Sequence, residues 1–169
     1  MPQRAMTSPS ESFYHSLTFR SEAETAAFGA RIADLLKVGD MVTLGGELGV
    51  GKTVFARGMI RRFLPREEVP SPTFTLVQTY ETPAFAISHV DLYRVKAPSE
   101  LRELGLDEAL ERGVLLIEWP DRMGELLSRD RLDIMLSALG DENERMAQIV
   151  SRGSWVERIK GLFGQDGRA

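Results

Sequence analysis

The chain has 169 residues, 43% of them hydrophobic, enough for one well-buried core and too few for two ordinary domains. A net charge of −4 and a pI near 5.3 argue against a protein that coats nucleic acid electrostatically. The absence of cysteine excludes disulfides, thiolate nucleophiles and cysteine metal sites; with a polar start and no apolar run of membrane-spanning length, a soluble, cytoplasmic protein without membrane contact is expected.

In chain order, residues 1–12 lack aromatics and periodicity and are expected to be a mobile arm; one domain is expected over 13–163, with a polar tail over 164–169. Phe13 to Phe19 alternates as an edge strand does. Ser21 and Glu24 have capping-box spacing ahead of an apolar series that predicts a helix over 22–37, stopped at Gly39. Met41 to Leu44 reads as a buried parallel strand, and Thr53 to Phe63 as a helix ended before Pro65. Phe74 to Tyr80 and Ala84 to Val90 read as strands around the turn Glu81-Thr82-Pro83. An amphipathic helix over Ser99 to Arg112 and an apolar strand over Val114 to Ile117 follow. Arg131 to Leu136 and Met146 to Ser151 predict a final strand pair, and Ser154 with Glu157 caps a last helix. Strands and helices alternate through most of the chain, so the expected fold is α/β: a mostly parallel sheet, helices on both faces and an antiparallel strand pair at the C-terminal side.

Gly46-Glu47-Leu48-Gly49-Val50-Gly51-Lys52-Thr53 fits the pattern G-x-x-x-x-G-K-[ST] between a buried strand and a helix. Glycines let backbone N–H groups turn inward on an anion, and the helix start adds positive potential. Lys52 is suited to the β- and γ-phosphates of ATP, and the Thr53 hydroxyl to Mg²⁺. Mg²⁺ also calls for a carboxylate at a neighbouring strand end, and two candidates are present, Asp91 and Glu118. His89 shares a strand face with Asp91 and is a candidate for supporting the site. Pro70-Ser71-Pro72-Thr73 is a stiffened segment with projecting hydroxyls, either a switch through Ser71 and Thr73 or a rigid feed into the next strand. Arg57, Arg61, Arg62 and Arg66 form the clearest basic cluster, read by default as a solvated face. Arg94 and the arginines between Arg122 and Arg131 are candidates for extra charge near the phosphates.

Several segments together resemble one family, TsaE (also called YjeE), the bacterial ATPase of the pathway that places threonylcarbamoyl on a tRNA adenosine. They are Gly39-Asp40, the loop Leu48 to Thr53, Ser71 to Val77 with Tyr80, His89 to Arg94, and Ile117-Glu118-Trp119-Pro120, over roughly residues 21–136. The resemblance implies a P-loop NTPase-like three-layer sandwich, ATP with Mg²⁺, Thr53 and Glu118 on the metal, and Asp91 as the acid needed for hydrolysis, so that Lys52, Asp91 and Glu118 form the catalytic set. It also implies Glu22 near the adenine or ribose, and a TsaB–TsaD heterodimer as partner, with tRNA met through that complex. Gly45-Gly46-Glu47 departs from the family's usual glycine and aspartate, and Val54 stands where a second hydroxyl often follows. The alternatives are a small-molecule P-loop kinase, with residues 122–131 as a lid, and a nucleotide-gated binding module. Guanine specificity is disfavoured, since no Asn/Thr-Lys-x-Asp segment occurs.

Overall fold

The computed structural model describes residues 12–164. The predicted arm and tail therefore lie outside the described residues, apart from Ser12 and Gly164 at their borders. The elements run β1 (Ser12–Phe19), α1 (Glu22–Ala33), β2 (Met41–Gly45), α2 (Lys52–Arg61), β3 (Val77–Glu81), β4 (Ala86–Asp91), α3 (Pro98–Arg102) and α4 (Leu106–Arg112). Then come β5 (Gly113–Glu118), two 3₁₀ turns (Pro120–Arg122 and Gly124–Leu126), β6 (Leu132–Ala138), β7 (Arg145–Arg152) and α5 (Trp155–Phe163).

All seven strands form one sheet in the order β1-β7-β6-β2-β5-β4-β3. The central strands β6, β2, β5 and β4 are parallel. The expected C-terminal antiparallel pair is β6 with β7, extended by β1, and β3 pairs antiparallel with β4 at the other edge. Every residue of β2 and β5 is buried, as expected for parallel strands covered on both faces. Alternate residues of β5 serve the two faces. Val114 and Leu116 pack with Phe28 and Ile32 of α1, Phe55 and Met59 of α2 and Trp155 of α5; Leu115 and Ile117 pack with Leu101 of α3 and Leu106 of α4.

Close packing of α1 on α2 depends on glycine. A Cβ at Gly58 would run into the Ala26 backbone, and one at Gly29 into the Phe55 carbonyl. At the start of α1 the Ser21 hydroxyl accepts from Glu24 N at 3.1 Å, as its spacing predicts, while the Glu24 carboxylate reaches back to Arg20 N at 2.7 Å.

The helix expected over 22–37 ends at Ala33 and the strand expected from Ala84 starts at Ala86; three further departures have an identifiable local reason. The helix expected over Ser99 to Arg112 is broken at Gly105, whose φ of +66° turns the chain between α3 and α4. The strand expected from Phe74 starts at Val77, because Leu76 N bonds to Pro72 O at 2.8 Å and closes a turn. Ser154 does not cap α5 through its side chain; its hydroxyl turns to Asp130 Oδ1, 2.9 Å away.

Candidate functional site

The chain leaves β2 at the centre of the sheet and enters α2 through a loop whose glycines adopt conformations closed to other residues. Gly46, Gly49 and Gly51 have φ of +133°, +78° and +114°. A Cβ on Gly46 would meet Leu136 O and the Val50 side chain, whereas around Gly49 and Gly51 the space is open. Gly51 occupies the N-cap of α2 without a side-chain cap, which leaves the first N–H groups of the helix for another acceptor. A cleft of about 190 Å³ opens here. On one side it is lined by Leu48, Gly49 and Gly51 to Val54, and on the other by Ser71, Thr73, Asp91, Tyr93, Glu118 and Trp119.

Strand register brings the two acids together. Asp91 and Glu118 are paired neighbours at the carboxyl ends of parallel β4 and β5, 3% and 2% exposed. Glu118 Oε1 accepts from Thr53 Oγ1 at 2.9 Å, so the two residues expected at a metal already touch. The same oxygen lies 2.9 Å from His89 Nε2, which places the ring proton on Nε2, and the buried Nδ1 has no hydrogen-bond partner. Asp91 Oδ2 takes both the Ser71 hydroxyl, at 3.2 Å, and the Thr73 hydroxyl, at 3.1 Å, while Oδ1 accepts from Tyr93 N. The Pro-stiffened segment is thus tied to the strand-end acid by both of its hydroxyls.

Lys52, 4% exposed, donates to Gly46 O and Glu47 O at 2.6 and 2.8 Å, and its Nζ lies 4.1 Å from the centre of the Trp119 ring. Burial lowers its pKa from the ordinary 10.5, and the carboxylates of Glu118, Asp91 and Asp121 work in the opposite direction. Trp119 (φ +61°) and Leu76 (φ +65°) are the only non-glycine residues with positive φ among the described residues. Both adjoin the site, one after Glu118 and the other where the stiff segment joins β3.

Not every predicted residue reaches the cleft. Glu22 is exposed in the first turn of α1 and does not line it. Glu47 is exposed and Val50 buried, and both belong to the loop without lining the cleft. Arg94 is exposed with its guanidinium 4.2 Å from the Phe74 ring centre. The basic cluster on α2 is less free than a solvated face: Arg57 and Arg61 donate to Val69 O and Glu67 O, fastening the loop after the helix, and Arg62 pairs with Asp34. Among the described residues no three His, Asp or Glu side chains converge as a metal-holding group.

Two lining residues, Tyr93 and Trp119, carry no predicted role, although both lie within segments already singled out; their rings lie 4.9 Å apart. Arg145 was not foreseen either. It donates to Val50 O at 2.8 Å from the start of β7, and no spacing in the sequence signals this contact.

Comparison with known proteins gives one answer. Residues 19–147 match the family model described as threonylcarbamoyl adenosine biosynthesis protein TsaE. The chain is 42% identical to the tRNA threonylcarbamoyladenosine biosynthesis protein TsaE of Rickettsia felis over 139 residues, 82% of this chain and 81% of the relative. It is 38% identical to the protein of that name from Bacillus subtilis over 137 residues, 80% and 85% of the two chains. The crystal structure of Bacillus subtilis YdiB superposes with a TM-score of 0.76 at 29% identity, covering 95% of this chain and 99% of that one, consistent with a P-loop NTPase-like fold. The chain belongs to the TsaE family.

Proposed function

We propose that this chain is a Mg²⁺-dependent ATPase of tRNA threonylcarbamoyladenosine biosynthesis, which powers turnover of a TsaB–TsaD transferase and meets tRNA only through that complex, in the cytoplasm. The observation that carries this reading is the convergence on one cleft of Lys52 and Thr53, from the start of α2, with Asp91 and Glu118, from the ends of β4 and β5. The donor set fits the expected ligands. Open space at Gly49 and Gly51 admits a close backbone approach, and Thr53 with Glu118 offers two hard oxygens side by side. Bound Mg²⁺ would neutralise developing phosphate charge.

The chain's own residues divide the remaining work. Lys52 supplies the cleft's positive charge, held in place by loop carbonyls. His89 orients the Glu118 carboxylate, and Asp91, sharing its hydroxyl partners with the stiff segment, is placed to order a water and to link that segment to the state of the cleft. The kinase alternative draws little support. Its lid candidates Arg122 and Arg131 sit beside Asp121 and Asp133, and among the described residues no arginine lines the cleft.

Titration with a fluorescent ATP analogue, with and without Mg²⁺, tests the reading. Mg²⁺-dependent binding is expected in the parent and lost in Lys52→Ala. Equal binding by the two chains, or none by the parent, overturns it.

A further inference from the structure

Arg145 stands 95 positions from Val50 in sequence, yet its Nε donates to the Val50 carbonyl at 2.8 Å. Its Nη1 donates to Glu142 O at 2.7 Å and Glu144 O at 2.9 Å, within the turn between β6 and β7. That turn is closed independently by Leu139 N to Glu144 O and Glu144 N to Asp141 O. The guanidinium therefore joins a self-supporting hairpin to the glycine loop. All its hydrogen bonds go to carbonyls, and among the described residues no carboxylate pairs with it.

The contact matters because of which peptide it grips. The Val50–Gly51 peptide is trans, like every described peptide, and a planar trans peptide points its N–H opposite to its C=O. Fixing the Val50 carbonyl toward Arg145 thus aims the Gly51 N–H the other way. Gly51 lines the cleft, while Val50 packs its side chain against Gly46. The neighbouring backbone ties are Val50 N to Glu47 O at 3.2 Å and Phe55 N to Gly51 O at 3.0 Å, neither of them to the Val50 carbonyl or the Gly51 N–H, and a Cβ at Gly51 would meet open space. A loop that binds an anion through N–H groups needs them convergent before the anion arrives.

We propose that Arg145 is a positioning residue for the anion-binding loop, holding the Val50 carbonyl so that the Gly51 N–H faces the cleft. The proposal rests on the nucleotide reading of the cleft and assigns the loop's shape to a side chain from a distant hairpin. It implies that preorganisation is lost when the donor is lost, even with Lys52 and Thr53 intact.

The test compares the parent, Arg145→Ala and Arg145→Lys by calorimetric titration with Mg·ADP and Mg·ATP, and follows the Gly51 amide by NMR. A charge-assisted hydrogen bond of this kind corresponds to roughly a 10- to 100-fold effect. Arg145→Ala is expected to weaken both nucleotides by about that factor and to displace the Gly51 amide resonance before any nucleotide is added. Arg145→Lys, which keeps the charge without the fixed guanidinium geometry, is expected to fall between the two. Parent-like affinity in Arg145→Ala overturns the proposal, and so does parent-like affinity in Arg145→Lys, which remains readable if the alanine variant fails to fold. A parent that binds neither nucleotide defeats the nucleotide reading itself, an outcome visible before any variant is compared.

Discussion

At Lys52 a buried ammonium is satisfied by two carbonyls of its own loop rather than by a carboxylate within hydrogen-bond reach. Burial lowers its pKa below the 10.5 of an unfolded chain, so protonated Lys52 opposes folding at every pH below its folded value. That cost fades as pH rises from the folded pKa toward 10.5, where the unfolded chain also loses the proton. Lys52→Met is therefore expected to melt at or above the parent temperature at pH 7, with the difference shrinking toward pH 10, even though nucleotide binding is lost. A parent more stable than the variant at neutral pH would show that the loop hydrogen bonds outweigh the burial cost. The two acids make a second residue-scale contrast. Glu118 touches Thr53 and His89, whereas Asp91 touches Ser71, Thr73 and the Tyr93 amide. Glu118→Gln is expected to weaken Mg²⁺-dependent nucleotide binding about tenfold or more, and Asp91→Asn to lower turnover more than binding. Identical profiles in paired binding and turnover assays would refute this division. These positions were legible because each sits in a short motif at a strand end. Arg145 was not, because its partner is a backbone carbonyl, which leaves no mark on residue type.

Elements with strong periodicity were legible as well; what escaped were places where one hydrogen bond or one glycine decides a boundary. Gly105 divides a continuous amphipathic pattern into α3 and α4, and the Leu76 N to Pro72 O bond delays β3. The second case bears on function. From Pro72 to Leu76 the chain is a compact turn, with Leu76 O accepting from Asp91 N and the Ser71 and Thr73 hydroxyls on the Asp91 carboxylate. This element is fastened almost wholly through one residue of β4, so its position depends on what else Asp91 must hold. Removing both hydroxyls in Ser71→Ala/Thr73→Ala leaves a 3% exposed carboxylate with only the Tyr93 amide as donor. Unsatisfied buried acceptors cost about 1–3 kcal/mol. Amide exchange over residues 73–76 and at Asp91 is expected to accelerate by a corresponding factor, while that of α1 is unaffected. Unchanged exchange at these amides would show that the prolines alone position the segment.

Across the whole molecule, the parallel core gathers the carboxyl ends of β2, β4 and β5 on one side, and the cleft is built there from residues distant in sequence. Sequence alternation pointed to this α/β layering, but not to the structural work that many of the arginines do elsewhere. Arg57 and Arg61 hold a loop, Arg131 and Arg152 share Asp133, Arg158 pairs with Asp40, and Arg145 braces the glycine loop. Among the described residues Lys52 is the one cation lining the cleft. Fast phosphoryl transfer needs further positive charge on the γ-phosphate together with an ordered water, and a charge supplied by a second protein is an established solution to that need. Three exposed apolar side chains, Leu48, Phe74 and Tyr93, lie on the loop, the stiff segment and the β4 end that frame the cleft, which is where a partner would have to sit to influence it. The lone chain is therefore expected to bind Mg·ATP yet turn it over far below typical enzyme rates of ~10 per second. Addition of TsaB–TsaD is expected to raise turnover at least tenfold, with Lys52→Ala as background. Steady-state phosphate release with and without the heterodimer decides the matter: a lone chain already at typical rates, unmoved by the partners, would mean that the site is complete in itself and that coupling to the transferase is not what its missing charge reflects.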